Sequence, residues 1–123
     1  MSRWVRWIDS GNSELQVRAT TSGTIAVQLL SGTTGIDLST VGTVELWLKD
    51  NAGGTKSFTT VGASPTLAVI GTAAGSINFL PGTGALIAGS APYRAYFKLC
   101  RSSASWDFVP EASELTIDVR ETY

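Results

Sequence analysis

The sequence predicts an all-β sandwich, on three observations. Short segments alternate apolar and polar residues with a period of two, the pattern of half-buried strands. Clusters of Gly, Asn, Asp, Ser and Thr separate them at short intervals, as turns do. The charged fraction is only 15%, against about 25% for an average domain. Ser, Thr and Gly fill the difference, which suits many turns and a weakly charged surface. The 123 residues make one domain that buries an ordinary core without a metal or disulfide.

The chain opens MSRWVRWI, with half of its four tryptophans. Two readings stand. Residues 3–8 form the first edge strand, with the tryptophans covering one end of the sandwich. Alternatively, residues 1–12 are an arm and hinge, with 9–13 (Asp-Ser-Gly-Asn-Ser) as the flexible part, and residues 13–123 are the sandwich proper. In a strand Trp4 and Trp7 point to opposite faces; in a polyproline II segment they share one side.

Leu15 and Val17 mark the next strand, and Ile25, Val27 and Leu29 the one after. Val44, Leu46 and Leu48 alternate with Glu45, Trp47 and Lys49. The loop 50–54 (Asp-Asn-Ala-Gly-Gly) and the segment 55–60 complete a hairpin. Residues 67–70 and 76–80 are short apolar runs separated by Gly71 and Gly75. Residues 85–88, after the turn 81–84, have the composition of a helical turn. In 93–101, Tyr93, Ala95, Phe97 and Leu99 share one face, and Arg94, Tyr96, Lys98 and Cys100 the other. Residues 106–109 form a short run. Leu115, Ile117 and Val119 close the chain. The count is about eight or nine short strands, with no repeat and no domain boundary within them.

Composition excludes much chemistry. There is one cysteine, Cys100, and no histidine, which removes an internal disulfide, a Ser-His-Asp or Cys-His arrangement and a histidine metal site. The ten acidic residues are scattered, and no two of them stand out as a facing pair for glycoside hydrolysis. Residues 53–57 (Gly-Gly-Thr-Lys-Ser) lack the spacing and the strand-to-helix context of a phosphate loop. A non-enzyme without metal or cofactor is expected. A net charge of −1 argues against nucleic acid. No apolar run reaches transmembrane length, and no secretory signal is evident. Synthesis in a cytoplasm, with no membrane partner, is expected.

The strand 44–50, the segment 75–81 (Gly-Ser-Ile-Asn-Phe-Leu-Pro), the strand 91–99 with Tyr93, Ala95 and Phe97, and the final strand 115–119 form a pattern. It resembles the immunoglobulin-like N-terminal domain of tailed-phage baseplate upper proteins and related virion proteins, over residues 37–119. The resemblance implies an immunoglobulin-like sandwich with a structural attachment role and no catalysis. In that group the domain leads into a longer chain that carries host binding. Here the last strand ends close to Tyr123, so the expectation is a freestanding capsid-decorating or tail-accessory protein, localised to the virion.

Two sets of candidate residues follow. Arg3, Trp4, Arg6, Trp7 and Ile8 would bind copies of the chain or other virion proteins in a symmetric homo-oligomer, because Trp and Arg are enriched at interface hot spots. Trp47, Tyr96 and Trp106 would stack on sugar rings in the alternative reading, a carbohydrate-binding sandwich module.

Overall fold

The computed structural model describes residues 3–18, 24–61, 66–81, 86, 89, 92–102, 105–110 and 115–120. Eleven strands run through them: β1 Arg3–Trp7, β2 Glu14–Arg18, β3 Ile25–Ser31, β4 Thr34–Gly35, β5 Thr43–Lys49, β6 Thr55–Thr59, β7 Leu67–Gly71, β8 Ser76–Phe79, β9 Tyr93–Ser102, β10 Ser105–Val109 and β11 Leu115–Arg120. The predicted helical turn at 85–88 lies outside the described residues, apart from Leu86, which is buried.

Two sheets pack face to face. The smaller has the order β1-β3-β8-β7, with β4 beside β3. The larger has the order β2-β11-β9-β5-β6, with β10 also on β9. Pairing is antiparallel except between β2 and β11. Strand β9 organises the larger sheet. One of its edges holds β5 along residues 94–100. The other is shared by β11 near Tyr93 and Ala95 and by β10 from Phe97 onward.

The alternation read from the sequence is the alternation of burial. Val44, Leu46 and Leu48 of β5, Tyr93, Ala95, Phe97 and Leu99 of β9, and Leu115, Ile117 and Val119 of β11 all enter one core. Val27, Leu29, Ile77 and Phe79 meet them from the smaller sheet. Burial of these side chains, at about 1.5–3 kcal/mol each, is the main favourable term.

Close packing demands glycine at Gly35, where a Cβ would lie 2.1 Å from the Ala74 carbonyl oxygen, and at Gly75. Gly75, in the β7–β8 turn, has φ +70°, and its carbonyl accepts from the Leu29 amide at 2.8 Å. A Cβ there would lie 2.4 Å from the Leu29 carbonyl oxygen. No side chain fits that gap.

The opening segment is β1, an integral edge strand. Residues Arg3 to Trp7 pair antiparallel with β3, Trp7 opposite Val27. Val5 and Trp7 are fully buried in the shared core. Strands β1 and β2 both feed this core, where Leu15 is buried with Val5 and Trp7. The connection between them is a bonded turn. The Trp7 amide donates to the Asn12 carbonyl at 2.8 Å, and the Gly11 amide to the Trp7 carbonyl at 2.8 Å. Ser13 Oγ donates to the Val5 carbonyl at 2.7 Å.

Candidate binding surface

Strand alternation places Trp4 and Arg6 on the outer side of β1 and Val5 and Trp7 on the inner side. The five candidate residues at the N-terminus therefore do not form one patch. Trp7 has no exposed surface and cannot anchor a partner in the folded chain. Trp4 is half-buried opposite Leu30, and its indole donates to the Gly32 carbonyl at 2.7 Å. Arg6 donates to the Gln28 side-chain carbonyl. Arg3 lies 3.5 Å from the Asp107 carboxylate. Ile8 alone of the five is exposed, at 47%.

The Asp107 contacts tie the two sheets together. Arg101 Nε donates to Asp107 at 2.7 Å, and Arg101 Nη1 donates to Thr40 Oγ1 at 2.6 Å. The Arg101 hydrogen bond, with the charges of Arg3 and Arg101, holds the Asp107 carboxyl below its ordinary value despite some desolvation. These groups belong to β1 on one sheet and to β9 and β10 on the other.

The three aromatic candidates are brought together on the outer face of the larger sheet. The β5–β9 register makes a ladder of cross-strand pairs: Lys49 with Arg94, Trp47 with Tyr96, Glu45 with Lys98. The same register puts Leu48, Leu46 and Val44 on the buried side, which is why the ladder faces out. Trp47 and Tyr96 are parallel within 4°, with ring centroids 6.4 Å apart. Strand β10 folds back on β9 and adds two more rings. Phe108 meets Tyr96 edge-on at 5.7 Å, and Lys98 Nζ sits 3.7 Å from the Trp106 ring centroid. The indole of Trp47 donates to Glu45 Oε1 at 3.0 Å, which fixes its ring and engages that carboxylate.

Tyr96, Trp106 and Phe108 expose 39%, 39% and 51% of their surface. A cluster of exposed rings is what a binding surface offers and what a simple solvated face lacks. Phe108 and Lys98 were missing from the sequence-predicted set. Alternation in 106–109 is the signal that finds Phe108, since it places Phe108 beside Trp106 and Val109 in the core.

Next to the Lys49–Arg94 pair is a cleft of about 350 Å³ lined by Lys49, Asp50, Asn51, Gly53, Pro92 and Arg94. Asp50 Oδ1 accepts from the amides of Ala52 and Gly54 at 2.9 and 2.8 Å, so this carboxylate is committed to the β5–β6 turn.

A second surface is the edge of β7, which among the described residues pairs only with β8. Its sequence, Leu-Ala-Val-Ile-Gly, carries no charge. Ile70 exposes 60%, the most of any large hydrophobic residue among those described. Among the described residues, the edge strands β1 and β2 carry arginine, β6 carries Lys56 and β10 carries Asp107, while β7 carries no charge and its register shifts between Val69 and Gly71. Charged residues on edge strands are the usual protection against strand-to-strand association.

Among the described residues no group of three or more His, Cys, Asp or Glu is placed to hold a metal ion. No helix among them is long and apolar enough to cross a membrane. No protein-family model matches the chain, and no curated protein matches its sequence.

Proposed function

We propose that the chain is a non-enzymatic structural protein of a phage particle, a capsid decoration or a tail or baseplate accessory. It is made in the host cytoplasm and carried in the virion. It docks on copies of itself or on neighbouring virion proteins by pairing sheet edges. The observation that carries the reading is the uncharged, apolar edge of β7 with Ile70 exposed. A strand edge without charged side chains offers a row of backbone donors and acceptors to another strand, and symmetric particles repeat such contacts many times. The strand pattern resembling immunoglobulin-like virion domains supports the same reading, and its segments fold here as β5, β8, β9 and β11. Mass spectrometry of purified particles tests it. Peptides of this chain at fixed stoichiometry are expected. Their confinement to the soluble host fraction overturns it.

A second reading is favoured by a separate observation on a separate face. The parallel Trp47–Tyr96 pair, with Trp106 and Phe108 beside it, has the character of a carbohydrate-stacking surface. Rings held in fixed orientation offer apolar faces at little cost in side-chain entropy. The two readings are compatible, because edge pairing through β7 leaves the outer face of the other sheet open. Glycan binding by the isolated chain, abolished in Trp47→Ala, is the expected result.

A further inference from the structure

We propose that the outer face of the smaller sheet packs on the same face of a second copy of the chain, related by a two-fold axis that runs along the strands. The inference rests on the self-docking reading above and adds a contact on the face of the sheet to the one at its edge.

One rung crosses all four strands. Ile8 continues the pairing of β1, since its amide donates to the Ala26 carbonyl at 3.0 Å. Ala26 stands opposite Asn78, and Asn78 opposite Ala68. Their chain neighbours Trp7, Val27, Ile77, Phe79 and Leu67 are buried in the core, so alternation turns Ile8, Ala26, Asn78 and Ala68 outward. Leu80, two residues beyond Asn78, and Ile70, two beyond Ala68, flank the rung and expose 41% and 60% of their surface. With Ile8, three of the seven exposed large hydrophobic residues among those described border this one rung. A cluster of that kind marks a contact surface, whereas single exposed apolar residues do not.

The order of sizes in the rung specifies the occupant. From β1 to β7 it reads large, small, large, small: Ile8, Ala26, Asn78, Ala68. Rotated about an axis between β3 and β8, the rung meets itself in reverse. Ile8 then lies over Ala68 of the second copy and Asn78 over its Ala26, so each bulky residue meets an alanine. Aligned sheets about 10 Å apart pack through such interdigitation. Charge agrees with a second copy. On the next rung Arg6 is bonded to Gln28, and the same rotation sets it over the uncharged Ser76–Gly71 end of that rung. Four strands are about 20 Å across, and five residues about 17 Å long. Two such faces bury on the order of 1,000 Å², the low end for a specific interface. The dimer is therefore weak in free solution and strengthened where a particle holds copies close together.

The experiment is cross-linking of the full chain carrying Cys100→Ser and Ala26→Cys with a short bismaleimide, read beside sedimentation velocity. Face packing brings position 26 of the two copies to about 10 Å. Pairing through β7 alone leaves them five strand spacings apart, about 24 Å, beyond the reach of the linker. A cross-linked dimer is expected, and it is lost when Ile8→Lys is added. Ile8 lies at the end of the rung away from β7, so Ile8→Lys alters the face and leaves that edge intact. It is expected to weaken self-association at least about tenfold, at an unchanged melting temperature. Self-association without the cross-link, or a cross-link that persists with Ile8→Lys, overturns this inference and leaves edge pairing standing. A chain that is monomeric at every concentration overturns both.

Discussion

Trp47 and Tyr96 stand directly opposite one another across the β5–β9 pair, their rings parallel within 4° and 6.4 Å apart. The Trp47 indole is pinned by Glu45, and Tyr96 is braced from its other side by Phe108. The rings of the outer face are therefore held in fixed orientation. On the carbohydrate reading, replacing Tyr96 with Ala should weaken glycan binding. The cost in stability should be only about 0.5–1.5 kcal/mol, the scale of an aromatic pair. Urea denaturation read beside a binding titration separates the two effects.

At the N-terminus the expectation is the reverse: large effects on folding. Trp7→Ala removes a fully buried indole and should cost about 3–5 kcal/mol. Trp7→Phe should be much milder. It keeps most of the volume and removes an indole nitrogen that is buried without a partner among the described residues. Trp4→Ala should cost about 1 kcal/mol from the lost hydrogen bond to Gly32, together with some packing on Leu30. Chemical denaturation of the three variants should show by far the largest loss for Trp7→Ala.

Gly75→Ala should destabilise by at least about 2 kcal/mol, because the new Cβ meets the Leu29 carbonyl and the backbone is left-handed there. Gly53→Ala is the control. Its φ is also positive, at +92°, but nothing lies within 4 Å of the added carbon, so the loss should be smaller. Melting temperatures of the pair measure the difference.

Asp107→Asn should reveal the inter-sheet tie through pH. Hydrogen bonding to Arg101 lowers the folded carboxyl below its ordinary value of 3.8. The stabilisation is therefore fully present above that value and is lost as pH falls through the folded one. Native chain and variant should differ by about 1 kcal/mol or less at neutral pH, given the partial exposure of the pair. The gap should close in acid. Denaturation midpoints from pH 7 down to about pH 2 trace it.

Much of the fold was legible because burial follows chain parity. Val44, Leu46, Leu48, Phe97, Leu99 and Ile117 are apolar at alternate positions, and all are in the core. Strand β4 was not legible, since two residues, Thr34 and Gly35, carry no period. Strand β1 was ambiguous for a physical reason. Trp4 and Trp7 differ in parity, so one tryptophan had to lie on the outer side, where Leu30 and the Gly32 carbonyl receive it. That bulky outer residue made a strand look like an arm. The aromatic cluster was legible residue by residue, for Trp47, Tyr96 and Trp106, but not as a site. Its assembly depends on β9 pairing with β5, distant in sequence, while β10 returns along the other edge. The Lys49–Arg94 pair became visible only with that register.

The central claim is self-association through the β7 edge, and sedimentation velocity at rising concentration tests it most directly. The native chain is predicted to shift to larger species as concentration rises. Ile70→Lys, which puts a charge on the exposed edge, is predicted to remain monomeric with an unchanged melting temperature. A native chain that stays monomeric throughout, or an Ile70→Lys variant that associates as the native chain does, would contradict the claim.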